Sequence, residues 1–203
     1  MQMNTHSNLE TFQSFFADYG LYIGLIVVTV IASLVVYRHV QSDAHILKQA
    51  LKKYAKAVEK DVVLFDGVDS YQFADYLVLL QGKIVVIKLD DSDGYIFGAE
   101  NIHEWTCVKN NVTSKFANPL RKLNHFATQI KQTSAFDDVQ ANVLFGSSAS
   151  FPKGVPEHVL QMACLDKDLE ALVGDEANHE QAEQAWHELI AMVKKDKDKV
   201  GKV

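Results

Sequence analysis

The chain has no lysine or arginine before Arg38. A cleavable secretory signal opens with a basic stretch and ends at a small-residue cleavage site; neither is present here, so the apolar segment is expected to be retained. Cysteine is nearly absent. Cys107 and Cys164 are too few and too far apart for a zinc cluster or a disulfide framework, and they are expected to be reduced, buried thiols. Three prolines and 48% hydrophobic residues argue against a long disordered linker. The net charge is −6, and setting aside Glu10 and Asp18 leaves −4 on the remainder. No global basic field exists, so any nucleic-acid contact has to come from a local patch. His179 and His187 stand eight apart, not the four that brings two helical metal ligands together. Asp91, Asp93 and Gly94 crowd too closely for a calcium loop, and its closing glutamate is missing. The chain contains no internal repeat.

What is present begins with nineteen uncharged residues, Tyr19 to Tyr37, between Asp18 and Arg38. As a helix this run reaches about 28 Å, close to the hydrocarbon thickness of a bilayer. Its β-branched residues lower helix propensity in water but matter little in lipid, where every amide must bond internally. Tyr19, Tyr22 and Tyr37 lie towards its ends, where amphipathic rings favour the interface. Lys48, Lys52, Lys53 and Lys56 follow Arg38, so the positive-inside asymmetry predicts a single-pass inner-membrane protein with its N-terminus outside and its C-terminal domain cytoplasmic. The expected divisions are an extracytoplasmic tail (1–18), a membrane helix (19–38), a juxtamembrane basic helix (39–60), a folded domain (61–195) and a disordered tail (196–203). The 165 residues from His39 onward suffice for one domain with a substantial core.

Leu47, Leu51, Tyr54 and Val58 share one helical face over 42–60, with Lys48, Lys52, Lys56 and Lys60 as a second stripe. The lysines suit solvent, anionic headgroups or nucleic-acid phosphate. Val62–Phe65, Tyr71–Leu80 and Lys83–Leu89 are β-prone runs, separated by turn signals at Asp66-Gly67 with Asp69-Ser70 and at Gln81-Gly82. Short strands follow at YIFG and WTCVK. Asn118-Pro119 opens a helix with Leu120, Leu123, Ala127 and Ile130 buried. Val139–Phe145 is a further strand, Pro156–Met162 a short helix and Glu180–Lys195 a longer one. The order implies an α+β fold, a mixed sheet with helices packed on it. Trp105 and Trp186 are expected in the core, and His125 against the sheet.

Asp75 is a lone carboxylate in the strand YQFADYLVLL, and Lys88 and Asp90 share one face of the next strand. Carboxylates and a lysine on adjacent strands suit a divalent-metal phosphodiesterase, in which the metal makes the hydroxide and the lysine assists the water or the phosphate. At these residues the chain resembles the nuclease-related domain family, NERD, within the restriction-endonuclease-like PD-(D/E)xK class. The likeness covers about Asp61 to Lys131: FADYLVL, GKIVVIK, Gly94 with Ile96-Phe97-Gly98, Trp105-Thr106, and Phe116-x-Asn118-Pro119-Leu120 followed by His125. It implies a restriction-endonuclease-like mixed sheet after the membrane helix, Asp75, Lys88 and Asp90 as catalytic residues, and Asp75 with Asp90 as metal ligands. For nucleic acid it leaves Arg121, Lys122 and Lys131 beside the Asn-Pro helix start, which read equally as a wet helix face.

The family pattern is Glu-x-Lys where this chain has Lys88-Leu89-Asp90, and the helix 42–60 lacks the family's Gly-Glu pair. A metal at the usual position meets an ammonium; near 4 Å such repulsion costs on the order of 4 kcal/mol per unit charge. Two readings stay open. In one, Lys88 replaces the metal and pairs with Asp75, leaving a catalytically impaired domain that needs no cofactor. In the other, Asp75 and Asp90 hold a displaced Mg²⁺ and Lys88 serves the water of an active DNA or RNA endonuclease. The expected partners are the lipid bilayer with DNA, RNA or a protein. A structural adaptor with no nucleic-acid role is the remaining alternative.

Overall fold

Val78-Leu79-Leu80 and Ile84–Ile87 are unbroken apolar runs, the pattern of strands buried on both faces. In the computed structural model, which describes residues 5–65 and 70–200, they form the centre of a five-stranded mixed sheet. Its strands lie in the order β1 (Ala57–Phe65), β2 (Tyr71–Leu80), β3 (Lys83–Asp90), β7 (Val139–Phe145) and β9 (Val159–Gln161). The first three make an antiparallel meander, and β7 and β9 join in parallel. A second sheet runs in the order β6 (Val112–Ala117), β5 (Glu104–Lys109), β4 (Gly94–Phe97) and β8 (Ala149–Ser150).

The two faces of the larger sheet are sealed by different helices. Leu77, Leu79, Ile84, Val86, Ala141 and Val143 pack with α2 (Pro119–Ser134) and α4 (His179–Val200). Val78, Leu80, Val85, Ile87 and Leu144 pack with Leu47, Ala50 and Leu51 of α1 (Thr5–Tyr54) and with Leu165 and Leu169 of α3 (Leu165–Ala171). The period-2 alternation of strands is what sorts neighbouring residues between these two cores.

Two compact units divide the chain, Met1–Ala44 and His45–Val203. In the first, α1 is long and apolar enough to cross a membrane from Gly24 onward. Leu25, Ile26, Val28, Ile31, Leu34 and Val35 are exposed along it. Two hydroxyl groups of the apolar stretch turn back onto the helix, Thr29 donating to the Leu25 carbonyl and Ser33 to the Thr29 carbonyl, each at 2.8 Å. That leaves neither side-chain hydroxyl in need of water.

Several expectations are corrected. The helix expected to reach Lys60 ends at Tyr54, and Ala57–Lys60 belong to β1 because they pair with β2 from Ala57↔Leu79 onward. The lysine stripe stops with it: Lys56 and Lys60 lie beyond the helix. No short helix covers Pro156–Met162; Val159–Gln161 pairs in parallel with β7, and helix begins only at Met162. The C-terminal residues to Val200 are not a frayed tail. Asp196 is buried and accepts from the Phe65 N–H at 3.0 Å, and Lys197 reaches Glu59 at 2.6 Å, so the end of α4 is tied to β1. Cys107 is buried as expected, but Cys164 is exposed. His125 faces solvent, and Phe126 takes the core position beside it. Both tryptophans are in the core. The second sheet went unforeseen, as did α3; β6 follows a tight turn at Asn110-Asn111, both at positive φ. The turn signal at Asp66–Asp69 and residues 201–203 lie outside the described residues.

The Phe97-Gly98 pair ahead of Trp105 has a steric cause. A Cβ on Gly98 stands 2.2 Å from the fully buried indole of Trp105, whose Nε1 donates to the Ala99 carbonyl at 3.0 Å. Gly98→Ala is therefore expected to cost about 2–3 kcal/mol in urea unfolding, the range of an overpacked core, with Gly154→Ala as an open-space comparison strained only by its φ. Asp196 generates a second prediction. Burial pushes its carboxyl up, but the Phe65 N–H and the Lys199 ammonium outweigh this and hold it below the ordinary 3.8. A depressed folded-state value contributes stability above the unfolded value and loses it as pH falls through the folded one. The acid limb of the stability curve below about pH 4 is expected to flatten in Asp196→Asn, measured by thermal unfolding across pH.

Candidate functional site

The β1, β2 and β3 ladders are interrupted around one residue. Pairing of β2 with β3 runs from Leu80↔Lys83 to Tyr76↔Ile87 and stops before Asp75. On the other side, Lys60↔Tyr76 and Val62↔Ala74 are paired while the facing Asp61 and Asp75 are not, and Asp61 has φ 50°. Ala74 and Leu77, three apart, reach the same core cluster, as do Ala57 and Val62, five apart. Regular alternation forbids odd separations on one face, so both strands change face here.

The Asp75 side chain fills the break. Its Oδ2 accepts from the Leu89 N–H at 2.7 Å, and Lys88 Nζ lies 3.1 Å from the same oxygen. A carboxylate thus takes the place of the backbone acceptor that β3 loses as β2 turns away. β3 itself continues straight, paired with β7 as far as Asp90↔Phe145. Asp75 and Lys88 are both partly exposed, the side chains at 30% and 42%, so the pair is open to solvent and its net worth is small.

Asp90 does not join them. Its Oδ1 accepts from the Ser92 N–H at 2.9 Å, closing the turn that leaves β3. The two carboxylates expected to share a metal therefore each have a protein partner, and the group drawn to Asp75 is an ammonium. Asp61, opposite Asp75 in the register, is an acidic neighbour the sequence reading passed over. Its signal was the charged Glu59-Lys60-Asp61 interrupting a strand that begins before it, which the overlong helix concealed.

The cations of α2 do not form one patch. Arg121 is held by a short contact between its guanidinium and His103 Nδ1. Lys122 and Lys131, nine residues apart, project on opposite sides of the helix at about 100° per residue. The start of α2 is nevertheless built with care. Asn118 is buried; its Oδ1 accepts from the Leu120 N–H at 2.9 Å and its Nδ2 donates to the carbonyls of Glu100 and Ile102, both at 2.8 Å. One side chain thus caps the helix and fixes the loop after β4.

These features fall within a stretch, residues 39–151, that matches the nuclease-related domain family, NERD. The chain belongs to that family. No curated protein matches it significantly. The family match ends at Phe151, before β9, α3 and α4, although α4 contributes Ala182, Ala185, Trp186, Leu189 and Val193 to the core.

The two members of the pair should respond differently to truncation. Asp75→Ala leaves the Leu89 N–H without its acceptor and is expected to cost about 1–3 kcal/mol in chemical unfolding. Lys88→Met, which removes only a solvent-exposed ion pair, should cost less than about 1 kcal/mol.

Proposed function

We propose that the chain is a membrane-anchored NERD protein with a restriction-endonuclease-like sheet whose nuclease centre is catalytically impaired. The observation that carries this is Lys88 Nζ at 3.1 Å from Asp75 Oδ2. An ammonium seated on the one strand carboxylate already supplies the positive charge that a dication would bring, and it repels any ion approaching the same oxygen. Asp90 Oδ1 accepts from the Ser92 N–H in the turn that leaves β3, which ties that carboxylate to its own turn. The domain then binds and positions a partner without cutting it.

The apolar part of α1 supports anchoring, since its side chains are exposed and its hydroxyls are satisfied within the helix. Arg38, Lys48, Lys52, Lys53 and Lys56 follow that stretch, and none precedes it, which favours a cytoplasmic location for the folded domain and an external N-terminus. The partner consistent with the family is nucleic acid, met through local cations at the start of α2, Arg121 and Lys122, with Lys131 on the opposite side of the helix from Lys122. With a net charge of −6, that contact has to be confined and strongly salt-dependent.

The purified full-length chain is expected to leave plasmid DNA uncut with Mg²⁺ or Mn²⁺, and to bind DNA at about 50 mM salt with affinity that falls as salt rises. The double change Lys88→Glu with Asp90→Lys restores the family order and is expected to introduce Mn²⁺ uptake that a further Asp75→Asn removes. Cleavage by the unaltered chain that Asp75→Ala abolishes overturns the impaired-site reading. Absence of DNA binding at low salt transfers the role to a protein partner.

A further inference from the structure

Away from Asp75, the loop after β4 and the turn before β9 bring Glu100, Glu157 and His158 together. One carboxylate oxygen from each glutamate and one ring nitrogen of His158 all lie within 4.8 Å of one another. We propose that these three residues bind a divalent first-row transition ion, Zn²⁺ being the best fit. The site is separate from the nuclease centre and does not depend on the reading of that centre.

The ligand spacing is near what such an ion needs. Metal–ligand bonds of about 2.0–2.2 Å in tetrahedral geometry put ligand atoms roughly 3.4 Å apart. His158 Nε2 is 3.8 Å from Glu157 Oε1, so that edge has only a few tenths of an ångström to close. Both glutamates are exposed and can adjust their rotamers at little cost. An imidazole with two carboxylates favours zinc over magnesium, which seeks all-oxygen octahedral surroundings. Three protein ligands leave one position open to water.

The backbone under the ligands is held. The Glu100 carbonyl accepts from buried Asn118 at 2.8 Å, and the His158 carbonyl accepts from the Val143 N–H at 3.0 Å. His158 itself sits at φ 61°, a left-handed conformation uncommon outside glycine. Its other ring nitrogen, Nδ1, lies 3.2 Å from the Gln140 carboxamide. The Gln140 atom facing Nδ1 is Nε2; turning that carboxamide by 180° puts Oε1 there, so that Nδ1–H donates and Nε2 keeps its lone pair for the ion, the usual outer support of a ligating histidine.

A second feature points to an occupant. Glu157, His158 and Gln140, though not Glu100, line a cavity of about 360 Å³ whose wall also includes Asn142. Asn142 is 1% exposed, and its Oδ1 has no hydrogen-bond partner. A buried amide oxygen left unpaired is costly, and the water carried by a bound ion is a donor of the kind it lacks. The ion would join chain segments almost sixty residues apart, through the same loop that Asn118 organises.

Zn²⁺ titrated into the metal-free full-length protein against a chromophoric chelator is expected to show one tight ion per chain. His158→Gln and Glu100→Gln should each weaken it at least about tenfold, Gln140→Ala less, and Asp75→Asn not at all. The thermal midpoint should rise with Zn²⁺ in the unaltered chain and in Asp75→Asn, but not in Glu100→Gln, an exposed change that leaves the fold intact. No tight Zn²⁺, unchanged uptake in both ligand variants, loss of uptake in Asp75→Asn, or Mg²⁺ binding as tightly as Zn²⁺ overturns the assignment.

Discussion

The carboxylate of Asp75 does at the end of the β2/β3 ladder what a main-chain carbonyl does along the rest of it. By accepting from the Leu89 N–H it lets β2 leave β3 without orphaning a donor, while β3 runs on against β7. That divergence opens the sheet at one point and places a charged group in the gap. The neighbouring strand supplies the partner charge, Lys88 Nζ lying 3.1 Å from Asp75 Oδ2.

The pieces around this point reinforce it for separate physical reasons. Asn118 caps α2 and ties the loop of Glu100 and Ile102, Gly98 lets the Trp105 indole close on the backbone, and α2 then lies against the sheet through Leu120, Leu123, Phe126 and Ile130. In this chain these residues act through packing and capping. None of these contacts involves residue 88 or 90. Beyond the matched stretch, α4 completes the same core, its last turns fastened by Asp196 to Phe65 and by Lys197 to Glu59.

The site was legible in part. The lone carboxylate in an apolar strand and the same-face pair at 88 and 90 follow from alternation, and the reversed order suggested a lysine on an aspartate. The Asx turn closed by Asp90 did not follow, since Asp-Asp-Ser-Asp-Gly allows several local hydrogen bonds and the strand end decides among them. Nor did Asp61: a run of Glu-Lys-Asp continues a helix pattern as readily as it starts an edge strand. His158, Glu157 and Glu100 carry no spacing signal at all, because they meet only after two loops have folded.

The sequence by itself determined the long apolar run, the central strands, the hairpin at Gly82 and the helix opened by Asn118-Pro119. These rest on periodicity, hydropathy and residue-specific backbone limits, all of which act over a few neighbours. Only the tertiary structure decided where α1 stops, that Val159–Gln161 is a strand and that the C-terminal charges are anchored, since each depends on a partner far away in the chain: β2 for Ala57, β7 for Val159, β1 for Asp196. Short segments with mixed signals take the conformation whose hydrogen bonds a distant strand or helix completes.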